Sequence, residues 1–325
     1  MRLGGAHAPK SASSFSALGF APRWGRHLMS PIFRLKRVAL PLLVLFRMLV
    51  SPPAHLLEKA RNASSRLIAR WRFEPRTDDI FIVTYPKSGT TWLQQIVYQL
   101  TGDGNMDIPH IRTVSPYFDV DLMASPDQFR QLPSPRIFKS HGTFNEVYNP
   151  KSRFIYVMRH GVDVAHSYYH HYRCYNGFSG AFDVFFRAFV NGRIDGRSWF
   201  RHVSEWLSQS GRTNILVLRF EDLRQDLPSQ VRRIAEFCQI PLSEALMERV
   251  VGQSSLAFMK AHEAQFEWAT GGLYAKGMTL NDFIRSGGHG RWRVETLDSR
   301  LLESYTRQFE RFLRDLNVEH YGRVE

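Results

Sequence analysis

Nine residues, TYPKSGTTW (Thr84 to Trp92), follow directly on the apolar start of a run, Ile80-Phe81-Ile82-Val83. A buried strand that ends on a lysine, a serine, one glycine and two threonines, with helix-spaced apolar residues beyond, leaves few folds open. The strand must deliver a tight turn whose backbone N–H groups face an anion, and the following helix must point its positive N-terminus the same way. The stretch is not a Walker loop, which needs Gly-x4-Gly-Lys-Ser/Thr; here Lys87 precedes Gly89 and no glycine stands just upstream. The physical task is still within reach. Ser88 and Gly89 make the turn, Lys87 adds a mobile charge, and the Thr90 and Thr91 hydroxyls add donors.

From Asp79 onward short apolar runs alternate with amphipathic stretches. That alternation predicts an α/β fold: a single domain with a central parallel sheet flanked by helices and a P-loop-NTPase-like phosphate-binding loop. Strands are expected over 80–84, 136–140, 153–158 and 214–220, and helices over 91–100, 228–238 and 299–316. The five prolines between Asp103 and Arg136 read as a long irregular connection. The six glycines between Gly271 and Gly290 read as a flexible loop or lid.

Charge divides the chain in two. The net charge is +13, yet no Asp or Glu precedes Glu58, whereas eight Lys and Arg do. Most of the excess therefore belongs to a basic, partly apolar extension over 1–70, and the domain over 71–325 is only mildly basic, which argues against a nucleic-acid partner. The apolar part of the extension is broken by Pro41, Arg47, Pro52 and Pro53, so it suits a membrane surface or a disordered leader better than a span. Two cysteines, Cys174 and Cys238, make neither a disulfide framework nor a zinc site. The expected setting is cytoplasmic, with peripheral membrane contact through the extension.

A second motif carries the same chemistry. FIYVMRHGVDVAHSYYHHYR places Arg159 at a strand's carboxyl end, a rigid fork of donors suited to phosphate, with Ser167 about two helical turns further on. TYPKSGTTWL and this stretch together resemble the two nucleotide motifs of the cytosolic-type sulfotransferases, which use 3′-phosphoadenosine-5′-phosphosulfate (PAPS). The resemblance implies that Lys87, Ser88, Gly89, Thr90 and Thr91 hold the 5′-phosphosulfate end of PAPS, that Trp92 stacks on its adenine, and that Arg159 and Ser167 hold the 3′-phosphate. RIFKSHG resembles the family segment with the catalytic histidine, which makes His141 the general base; Lys87 and Lys139 then join it as catalytic groups. The remaining histidines, His160, His166, His170 and His171 among them, read as packing and hydrogen-bonding groups. The resemblance also implies cofactor contacts for Ser254 and for Arg285, Ser286 and Gly287, and no metal.

Departures stand beside these matches. Ser286 and Arg291 replace the family's usual lysine and aspartate, Gly196 a frequent tyrosine, and Leu256 a phenylalanine that sandwiches the adenine against Trp92. The acceptor is expected to be a small-molecule or lipid-like hydroxyl, with Tyr168, Tyr169, Tyr172, Tyr175 and Phe178 lining an apolar pocket. Nothing in the letters predicts a dimer. Two readings compete: a nucleotide kinase, which would require the Walker loop the chain lacks, and a catalytically weak nucleotide- or membrane-binding relative.

Overall fold

The computed structural model describes residues 73–124, 126–266, 284 and 297–316. The 1–70 extension, the glycine-rich stretch apart from Ile284, and with it Arg285, Ser286 and Gly287, lie outside the described residues. The chain enters through β1 (Ile80–Thr84) and turns at 85–89 into α1 (Thr90–Thr101). Two short helices, α2 (Ile111–Val114) and α3 (Phe118–Ala124), and a 3-10 turn (Pro126–Gln131) lead to β2 (Ile137–Ser140). The connection expected to be irregular is therefore partly helical. His110 caps α2 by accepting the Arg112 N–H, so a local cap overrides the proline content.

Next come α4 (Phe144–Val147), β3 (Arg153–Met158), α5 (Gly161–Asn176), α6 (Phe182–Val190) and α7 (Trp199–Leu207). After β4 (Ile215–Arg219) run α8 (Phe220–Gln225), α9 (Leu227–Cys238), α10 (Glu244–Gln253), α11 (Leu256–Ala261) and α12 (Ser299–Leu313). No helix of the described residues is long and apolar enough to cross a membrane.

The four strands form one parallel sheet in the order β2-β1-β3-β4. Side chains along a strand alternate between its two faces, and here both faces are apolar, as an all-parallel sheet requires. Phe81, Val83, Phe138, Phe154, Tyr156 and Met158 face a large aromatic cluster filled in by α5, α6, α7 and α12. Ile80, Ile82, Ile137, Ile155, Val157 and Leu218 face an aliphatic layer built from α1, α9 and α10. The aromatic layer absorbs residues expected to line a pocket. Tyr168, Tyr172 and Phe178 are buried in it, and the Tyr172 hydroxyl donates to Asp195 Oδ2 at 2.8 Å. They pack against α6 because α5 turns that face toward the sheet, which leaves them as core.

The order of the strands positions the site. The chain adds β2 on one side of β1 and then returns to add β3 on the other, so the carboxyl ends of β1 and β3 part at a topological switch point, where α/β sheets bind ligands. Thr84 pairs with Val157 and Val83 with Ser140. The loop after β1, Arg159 after β3 and His141 after β2 thus emerge side by side from one edge of the sheet.

Candidate active site

The loop between β1 and α1 is shaped by two left-handed residues, Lys87 at φ 70° and Gly89 at φ 100°, on either side of Ser88. Such a turn gathers backbone N–H groups into an anion-binding concavity. A lysine held in this conformation costs roughly 1–2 kcal/mol, the kind of strain that persists where a site requires it. Gly89 is required twice over, because a Cβ there would also stand 2.7 Å from the Phe220 ring. Gly89 caps α1 with no side-chain hydrogen bond, so the N–H groups of the first turn remain available to a ligand. The Thr90 and Thr84 hydroxyls share a 2.6 Å hydrogen bond, which directs Thr90 inward.

The two motifs meet. Arg159 Nη1 donates to the Lys87 carbonyl at 3.0 Å, across 72 residues of sequence. Its guanidinium lies over the Phe220 ring, 4.4 Å from the centroid, and Trp92 meets the same ring edge-on at 5.6 Å. Phe220, the first residue of α8, is therefore the floor shared by the phosphate loop, the arginine and the tryptophan. Trp92 Nε1 donates to the Ser254 carbonyl at 2.8 Å, and this joins α1 to the end of α10. Leu256, at the start of α11, is 43% exposed beside it. Ser167 lies half-buried on α5.

Two hydroxyls test whether a nucleotide fits. Ser88 Oγ and Ser254 Oγ are buried with no hydrogen-bond partner among the described residues. Buried polar atoms are almost always paired, so each fits a ligand oxygen better than an apolar filling. Among the described residues no group of three or more His, Cys, Asp or Glu is placed to hold a metal ion.

At the end of β2 the geometry fixes a tautomer. His141 Nδ1 lies 2.8 Å from the Thr84 carbonyl oxygen, which can only accept, so Nδ1 carries the proton and Nε2 carries the lone pair. Burial, and then the charges of Lys139, His202 and Lys87, hold the imidazole well below the usual histidine value against the opposing Thr84 bond, so it is neutral near pH 7. Lys139, two residues earlier, has its Nζ 4.7 Å from the centre of the Tyr117 ring. Burial first, then Arg112, lowers it to about 8, against the opposing pull of Asp119 and Asp121.

Some neighbours were not legible in the letters. Burial, then Lys87 and Lys139, pushes His171 well below the ordinary histidine value. Gly196 leaves room for Tyr85 and Tyr168, whose rings stand 2.7 and 3.2 Å from where its Cβ would be. Asp119, on α3, accepts the His141 backbone N–H at 2.6 Å. No local pattern marks Asp119, because it reaches the site from a segment distant in sequence.

A phosphate loop at the switch point, bonded to an arginine fork and flanked by a neutral imidazole, defines an α/β enzyme that acts on an anionic nucleotide. Residues 77–317 match the sulfotransferase domain family, and the chain belongs to that family, as an enzyme that uses PAPS. It is 29% identical to rabbit (Oryctolagus cuniculus) sulfotransferase 1C2 over 262 residues, 76% of this chain and 88% of the relative. It is 30% identical to rabbit amine sulfotransferase over 268 residues, 76% and 87% of the two chains. Its fold resembles that of mouse sulfotransferase SULT7A1 complexed with PAP, with a TM-score of 0.62 and 23% identity over 76% of this chain and 87% of the other.

Proposed function

We propose that the enzyme transfers a sulfuryl group from PAPS to a hydroxyl of a small-molecule or lipid-like acceptor, with His141 as general base. PAPS supplies an activated sulfuryl group on a phosphate leaving group. Lys87, Ser88, Gly89, Thr90 and Thr91 hold its 5′ end, Arg159 and Ser167 its 3′-phosphate, and Trp92 and Ser254 the adenosine side. His141 Nε2 takes the acceptor's proton as the acceptor oxygen forms its bond to sulfur. The bond from sulfur to the phosphate oxygen breaks, its electron pair stays on the departing bisphosphate, and Lys87 neutralises that oxygen. Lys139, lowered to about 8 and so still charged near neutral pH, neutralises the sulfuryl oxygens. The basic 1–70 extension favours an acceptor at an anionic membrane surface.

The observation that carries this reading is the Nδ1 to Thr84 hydrogen bond, which leaves a neutral imidazole with its lone pair on the atom that must accept a proton. Purified enzyme is expected to bind 3′,5′-adenosine bisphosphate (PAP), and Lys87→Ala or Arg159→Ala to weaken that at least ~100-fold, about 2.7 kcal/mol, by isothermal titration. His141→Ala is expected to abolish sulfate transfer while leaving PAP binding within about threefold of the parent. PAP binding that survives both cation substitutions sinks the site; transfer that survives His141→Ala sinks the base.

A further inference from the structure

We infer that Asp119 is a positioning residue for the reaction, acting through His141 and Lys139 rather than on the substrate; the inference rests on His141 as the base. β2 is an edge strand of the sheet, so the backbone groups at its outer side lack a neighbouring strand. The segment leading into α3 takes that place. Lys139 donates its N–H to the Pro116 carbonyl at 2.9 Å, and Tyr117 bridges to Lys139 in parallel fashion. Where this pairing stops, the Asp119 carboxylate continues it. Oδ2 accepts the His141 N–H at 2.6 Å, Oδ1 accepts the Ser140 hydroxyl at 2.6 Å, and Ser140 Oγ in turn accepts the Gly142 N–H at 3.0 Å.

One carboxylate thereby fixes three successive residues, the middle of which carries the imidazole. Hydrogen bonds to an ionised acceptor are shorter and stronger than neutral ones, and these are at the short end. The opposite side of the same turn is fixed as well: His202 Nε2 and Trp206 Nε1 both donate to the Gly142 carbonyl at 3.1 Å. Between the two clamps the turn has little freedom, and His141 is set before a substrate arrives. Asp119 has a second effect. The charged groups that face Lys139 are Arg112 from α2 and Asp119 and Asp121 from α3, with the neutral imidazoles of His141 and of His171 on α5 beyond; the two carboxylates favour its charged form.

The test uses the full chain and measures kcat, KM for PAPS, PAP binding and the pH profile for Asp119→Ala, Asp119→Asn and Ser140→Ala, with His141→Ala as reference. Asp119→Ala is expected to lower kcat on the order of 100-fold, the scale of a misplaced reacting group, with PAP affinity within about threefold of the parent. Asp119→Asn keeps an oxygen for one of the two bonds and is expected to recover about tenfold of that loss; Ser140→Ala is expected to fall between it and the parent. In both Asp119 variants the alkaline limb moves to lower pH, because a charge that favours protonated Lys139 is gone. That movement separates positioning from a merely structural role.

A kcat within about threefold of the parent in Asp119→Ala, beside an inactive His141→Ala, overturns the inference and leaves the base assignment standing. Loss of PAP binding in Asp119→Asn together with turnover also overturns it, since the residue would then support the whole site. Transfer retained by His141→Ala overturns the base reading, and the inference with it.

Discussion

At the residue scale the site is a set of groups held away from their ordinary protonation behaviour. His141 lies well below the usual histidine value, so it is neutral at pH 7 and takes up a proton only at a pH well below that ordinary value. A base must be neutral to act, so activity is expected to hold down to that region and to fall on further acidification. In its proposed role Lys139 must be charged, and its value of about 8 then sets the other limb: activity is expected to fall as pH rises through 8. The measurement is kcat/KM against pH. In Lys139→Gln the alkaline limb disappears from its place near 8, and a limb that stays there assigns it to another group.

At the element scale, chemistry and cohesion occupy opposite ends of the strands. Asp79, just before β1, and Arg136, just before β2, form a bidentate pair at 2.6 and 2.7 Å, with 0% and 2% of their side chains exposed. The guanidinium also donates to the carbonyls of Phe129 and Glu74 and lies against Phe73 and Phe138. Removing one partner would leave a buried charge, at a cost of roughly 3–5 kcal/mol. Asp79→Ala is therefore expected to lower the free energy of unfolding, measured by urea titration, by that much while kcat per folded molecule stays at the parent's value; an unfolding free energy unchanged within error refutes the account.

Strands and helices were largely legible because their signals are local. The short apolar runs at 80–84 and 153–158 reproduce β1 and β3, whereas α1 starts at Thr90, one residue before expectation, because the cap is Gly89 itself. Lys87 and Arg159 were legible for the same reason, each lying beside its own strand end. Asp119 and Phe220 were not, since their partners lie 21 and more residues away and nothing near them in sequence announces the contact. The aromatics of α5 have a periodicity that fits a pocket or a core equally well, and only the position of α6 decides for the core.

At the scale of the whole molecule, a buried polar column runs through the aromatic layer. The Tyr156 hydroxyl lies 3.1 Å from His202 Nδ1, and His202 Nε2 gives its proton to the Gly142 carbonyl. Burial lowers His202 to about 4, below the ordinary value near 6.5. The unfolded chain therefore binds a proton that the folded one resists, and stability is fully present above about 6.5 and lost as pH falls toward 4, on the order of 3 kcal/mol for this group. Urea unfolding at stepped pH is expected to show that slope, and His202→Gln to flatten it between pH 4 and 6.5; an unaltered slope would place the acid sensitivity elsewhere.

The bond from Arg159 to the Lys87 carbonyl ties two crossovers of the sheet into one rigid jaw. Its width is set by main chain on one side and by a planar fork on the other, with Phe220 as the anvil beneath. On the proposed assignment the protein carries a gauge as well as two grips: the distance between anchorage points on a nucleotide is set by the fold itself, ahead of any encounter.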